Sequence, residues 1–187
     1  MAVRIYIDQG HNPVNPNAGS EGNGFREQDL VYTIGLLTAD LLRQNGFEVR
    51  LSRLTPQSQL GTSNTSSLAA RVSDANAWGA DYFISLHTNA SVIETASGSE
   101  AFVFRRNSDA EILAENILEQ LNFATGLQNR GVFARPGLYV LKRTRMPSTL
   151  VELGFITNPV DAELMAYSPG LFAAGVTNGV LAYFGML

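Results

Sequence analysis

Strand-like and helix-like segments alternate along this sequence, and that alternation narrows the possible folds more than any other feature. Residues 2–7 form an apolar run that ends in the turn-rich Gln9-Gly10-His11-Asn12-Pro13. Leu30, Ile34, Leu37, Leu41 and Leu42 then recur at helical spacing, and Gly46 stands where a helix over residues 27–45 would end. The pattern next predicts a strand over 47–51, a helix over 67–78 closed by Gly79, and strands over 81–87 and 99–104. A third helix is expected over 109–125, short strands over 139–141 and 149–153, and helices over 161–167 and 171–184. This order predicts an α/β fold whose central sheet is covered on both faces by helices. Sites in such sheets lie at the carboxyl ends of the strands.

The chain has 187 residues, 45% of them hydrophobic, which suits one domain over 1–187 with a substantial core. The polar stretch 57–67 is the one candidate for disorder. There are no cysteines, so disulfides and thiolate metal sites are excluded, and any metal site uses His, Asp and Glu. Net charge is −4, and the sole basic cluster, Lys142, Arg143 and Arg145, is too small for a duplex nucleic-acid binder. No run approaches the ~20 apolar residues that span a bilayer. The amino terminus lacks the long apolar core of a signal peptide, which leaves any export route open.

The two histidines, His11 and His87, each fall at or just after the end of an expected strand. If those strands are parallel neighbours, both imidazoles reach one rim. Two histidines and a carboxylate make a common catalytic zinc set with a free fourth position. Glu21, Glu27 and Asp29 are the carboxylate candidates; Glu27, at the start of the first long helix, has its direction set by regular structure. Glu152 interrupts the apolar run Thr149-Leu150-Val151-Glu152-Leu153, where an unpartnered charge is costly. A metal nearby would partner it, and so would an arginine such as Arg71. Taken singly, each residue has a simpler structural reading: a satisfied strand-end histidine, a helix-start glutamate favoured by the macrodipole, a salt bridge. Both histidines falling at strand ends favours the functional one.

Several motifs, in order, resemble the N-acetylmuramoyl-L-alanine amidase family 3. They are Asp8-Gln9-Gly10-His11, Phe25-Arg26-Glu27-Gln28, Ser85-Leu86-His87-Thr88-Asn89 and Val151-Glu152-Leu153-Gly154-Phe155-Ile156-Thr157-Asn158. Ser67-Leu68-Ala69-Ala70-Arg71-Val72, Asn129-Arg130-Gly131-Val132 and Met146-Pro147 extend the resemblance over nearly the whole chain. It implies a single α/β domain with a mixed, mostly parallel sheet and one catalytic zinc. Residue by residue, His11, Glu27 and His87 match the zinc ligands and Glu152 the catalytic glutamate. The implied reaction is hydrolysis of the amide between the lactyl group of N-acetylmuramic acid and L-alanine of the stem peptide. The implied partner is peptidoglycan, and the implied place of action is the bacterial cell wall, as an autolysin or endolysin. The competing readings are a zinc exopeptidase or related amidohydrolase, and a wall-binding domain without turnover. Arg71, Asn76 and Asn89 lie in matching motifs and are expected to support the site, Arg71 by a salt bridge between helix and strand. Asn12-Pro13 replaces the two glycines usual after the first histidine, so the segment 12–24 is expected to have its own shape.

Overall fold

The computed structural model describes residues 2–187. In chain order the elements are β1 (Arg4–Gln9), β2 (Glu21–Gly22), β3 (Phe25–Arg26), α1 (Glu27–Gln44), β4 (Glu48–Leu51), α2 (Asn64–Trp78) and β5 (Tyr82–Asn89). They continue with β6 (Ser99–Val103), α3 (Asp109–Thr125), β7 (Asn129–Ala134), α4 (Tyr139–Arg143), β8 (Ser148–Phe155), α5 (Pro159–Tyr167) and α6 (Pro169–Tyr183). Six strands form one sheet in the order β4-β1-β5-β8-β6-β7, and β2 pairs with β3 in a small hairpin. Strands β4, β1, β5 and β8 run parallel. Strand β6 lies antiparallel to β8 and parallel to β7. The expected mixed, mostly parallel sheet is therefore present.

The pleat sends alternate side chains to opposite faces. On one face Ile5, Ile7, Ile84, Leu86, Val151 and Leu153 meet the apolar sides of α1, α3 and α6 in the main core. On the other, Tyr6, Phe83 and Leu150 pack against Val72 and Ala75 of α2 and Val140 and Leu141 of α4. Both faces are thus covered. Helix α6 lies unusually close to α3: a Cβ added at Gly179 would stand 2.3 Å from the Ile117 Cα, so only glycine allows this approach.

Residues 139–141 are helical, not a strand, because α4 lies flat on the second face with Val140 and Leu141 buried beneath it. The edge strand β7 and the β2–β3 hairpin were not expected. The 57–67 stretch is not disordered: Leu60 is held by Asn12, and the Ser63 side chain caps α2 by accepting from Ser66 N.

Candidate metal centre

The sheet register explains how distant residues meet. Gln9 pairs with Leu86, and Gly10 N donates to Leu86 O at 3.0 Å, so β1 and β5 reach the same edge together. His11 and His87 follow directly. His87 in turn pairs with Glu152 on β8. Gly10 is required here, since a Cβ would lie 2.6 Å from His87 Cε1. Glu27, first residue of α1, is brought in when the chain doubles back through the hairpin; its N–H donates to Ser20 O at 2.9 Å. The parallel strands β1 and β5 do place both imidazoles on one rim.

His11 Nε2, His87 Nδ1 and Glu27 Oε1 form a triangle with all three sides 3.1 Å. Hydrogen bonds cannot serve all three sides. Each ring nitrogen carries at most one proton, so at least one side sets two lone pairs or two N–H groups against each other. A cation at the centre satisfies every side. Ligands ~2.0–2.1 Å from one tetrahedral centre stand about 3.3 Å apart, close to the spacing here. The donor set, two imidazoles and a carboxylate, is one that zinc accepts. Glu27 is almost fully buried, and its oxygens also accept from Thr88 N at 2.9 Å and Ser20 N at 2.8 Å. Burial works to raise its pKa, but hydrogen bonds and charge from the two histidines more than offset this and hold it well below the usual carboxylate range. Of the other carboxylate candidates, Glu21 and Asp29 are exposed and lie near Arg26.

Glu152 stands beside this triangle with Oε2 enclosed and without a hydrogen-bond partner. Burial, with the nearby charges of Glu27 and Glu100, pushes its pKa up to about 8. A carboxylate so placed takes up and releases a proton near neutral pH. Glu100 faces Glu152 across the β6–β8 register; its oxygens accept from Asn89 Nδ2 at 2.8 Å and Arg130 Nε at 3.1 Å. Asn89 therefore supports the surroundings of Glu152, while Arg71 does not pair with Glu152 at all.

Arg71 instead joins α2 to β1. Its Nη1 donates to Asp8 Oδ1 at 2.6 Å and Gln9 O at 2.7 Å, and its Nη2 donates to His11 O. Both partners of this ion pair are 1% exposed. Ser85 Oγ completes the Asp8 shell at 2.7 Å. Burial tends to raise the Asp8 pKa; Arg71 and Ser85 more than offset it and lower the pKa. The clamp matters because His11 has φ +64°, a left-handed backbone that costs a non-glycine residue about 1–2 kcal/mol. Arg71→Met, which leaves Asp8 buried and unpaired, should destabilise the fold by about 3–5 kcal/mol and weaken metal retention. Urea unfolding with zinc titration would check both. The sequence alone assigns no role to Asp8 or Ser85, although Asp8 follows an apolar run as Glu152 interrupts one.

Asn12 shows what replaces the usual glycine. Its side chain is fully buried, with Nδ2 donating to Pro16 O at 2.8 Å and Leu60 O at 2.9 Å and Oδ1 accepting from Leu60 N at 3.0 Å. The segment after His11 is thereby tied to the loop before α2.

Fold and site together define an α/β protein with a His–Glu–His cluster fit for one metal at the carboxyl rim of its sheet. A family model described as N-acetylmuramoyl-L-alanine amidase matches residues 5–182, and the chain belongs to that family. It is 32% identical to the N-acetylmuramoyl-L-alanine amidase CwlM of Bacillus licheniformis over 98% of this chain and 70% of that protein. It is 28% identical to the germination-specific N-acetylmuramoyl-L-alanine amidase of Bacillus subtilis over 96% of this chain and 79% of that one. Among solved structures, the CwlD amidase of Clostridioides difficile, in complex with the GerS lipoprotein, superposes with a TM-score of 0.90 at 25% identity, covering 99% of this chain and 100% of that one. The catalytic domain of CwlV from Bacillus (Paenibacillus) polymyxa var. colistinus gives 0.85 at 25% identity, with 99% of each covered.

Proposed function

We propose that this chain, as one catalytic domain over 1–187, hydrolyses the amide between the N-acetylmuramic acid lactyl group and L-alanine of the peptidoglycan stem. The observation that carries the reading is the 3.1 Å triangle of His11, Glu27 and His87 with the unpartnered Glu152 beside it. Membership of the amidase family supplies the substrate class.

His11 through Nε2, His87 through Nδ1 and Glu27 through Oε1 would hold one zinc. Zinc bound there supplies Lewis acidity, polarising a carbonyl and making a water easier to deprotonate. Glu152 takes the proton of the attacking water on its carboxylate and returns it to the departing L-alanine nitrogen. Its raised pKa suits both transfers, because the group gains and loses the proton at little cost near neutral pH. Glu27 stays ionised throughout, fixed by the Thr88 and Ser20 N–H groups. Arg71 and Asp8 hold the His11 backbone in place. The place of action is the bacterial cell wall. Among the described residues, no helix is long and apolar enough to cross a membrane.

Digestion of purified muropeptides, read by mass spectrometry, tests this directly. The expected product is a free L-alanine-headed stem peptide, absent after chelation and restored by zinc. Cleavage at another amide would favour an exopeptidase. Zinc-loaded protein that binds wall and cleaves nothing would favour a domain without turnover.

A further inference from the structure

The basic cluster that is too small for duplex nucleic acid has a second use in three dimensions. A cavity of about 510 Å³ opens between the β6–α3 loop and the segment joining α4 to β8. Arg105 lines it from one side, Lys142 and Arg145 from the other. We propose that this cavity binds a phosphodiester group of an anionic wall polymer; the choice of a wall polymer rests on the amidase reading above.

Three observations carry the site. First, Arg105 on one side and Lys142 and Arg145 on the other converge from two separate segments of the chain, and none forms an ion pair among the described residues, whereas the neighbouring Arg106 is paired with Glu111. Asp109 is the one acidic residue on the lining, so the wall keeps a net positive charge. This occurs in a chain of net charge −4, where a solvated basic pocket is not a by-product of composition.

Second, the backbone under the cations is fixed. Asn76 Nδ2 donates to Arg143 O at 3.1 Å, and Arg145 N donates to Asn76 Oδ1 at 3.0 Å. This gives Asn76 a structural task away from the metal centre. Third, the surface is concave, and Asn107 adds an amide group to its lining. A recess suits a discrete phosphate with its polyol arms better than the plane of a bilayer. Arginine forks and a lysine point charge are the groups that recognise phosphate oxygens.

The cavity does not belong to the metal centre. Ser148, on its lining, begins β8, and Glu152 lies four residues on, about 13 Å along the strand. A polymer held here would keep the enzyme on the wall while the opposite edge of the sheet works on a stem peptide.

Calorimetric titration of the zinc-loaded protein with short poly(glycerol phosphate) chains tests the proposal. Binding should be saturable and weaken steeply with salt. The double variant Lys142→Gln/Arg145→Gln should weaken it about tenfold or more and leave turnover of soluble muropeptides unchanged. A control with the same charge change at exposed ion pairs, Arg4→Gln/Arg43→Gln, should bind as the parent does. No saturable binding, or equal loss in both double variants, would overturn the site. Tighter binding to phosphatidylglycerol vesicles than to the polymer would overturn the occupant in favour of a membrane. Polymer binding by a protein that cleaves no muropeptide would overturn the amidase reading and leave the cavity supported.

Discussion

Glu152→Gln should keep its full complement of zinc while cleaving muropeptides about 10²–10⁴-fold more slowly. The amide has the shape of the acid but cannot take up a proton as the carboxylate does, so the variant isolates proton transfer from metal binding. It also has a signature that a structural role would not give. In the metal-free protein the Glu152 pKa is raised to about 8, chiefly by burial. A raised carboxyl pKa means the folded chain binds a proton that the unfolded chain releases. The native state is then favoured below the unfolded pKa, about 4.3, and loses that advantage as pH rises towards 8. The neutral amide of Glu152→Gln removes this liability. Chelator-treated variant should therefore resist urea better than the parent at pH 7, with the gap closing below about pH 4. A variant that turns over normally would end the proton-transfer assignment. One that is inactive but also unfolds early and loses zinc would mean that Glu152 holds the structure together instead.

The parts of this molecule that were legible in its sequence share a cause: regular burial. Long helices such as α1 and α3 show their apolar stripe, and β1, β5 and β8 show as apolar runs because both faces of the sheet are covered. The histidines were legible because each follows such a run. What was hidden depends on tertiary context. Tyr139-Val140-Leu141 has the apolar content of a strand, and three residues hold too little periodicity to tell the two apart; only packing on the second sheet face makes it α4. Strand β7 has one buried residue in six and so shows no alternation. Glu27 was one of three carboxylates until the hairpin and Gly19 set its place: a Cβ on Gly19 would stand 2.8 Å from Glu27 Oε2. The Asp8–Arg71 pair spans 63 positions, a separation that no local pattern reveals.

The other large effect is expected at His87. His87→Ala should fold, since its strand is held by backbone pairing to β1 and β8 and its side chain is not part of either core cluster. Zinc retention should fall far more than the ~10–100-fold typical of losing an outer partner of a metal ligand, because one of the three proposed ligands is gone. Muropeptide cleavage should drop to background with it. Removing the imidazole also takes away one of the two groups that hold the Glu27 carboxyl down against burial, so that carboxyl becomes easier to protonate. The loss should thus deepen as pH falls, since a protonated Glu27 is a poorer ligand. Substituting the two carboxylates outside the triangle, Glu21→Ala and Asp29→Ala, provides the comparison, because both are exposed. They should retain zinc as the parent does. Metal analysis after dialysis against a weak chelator reads all three variants together. Full zinc in His87→Ala, or loss of zinc in Asp29→Ala, would mean the metal is held by a different set of residues.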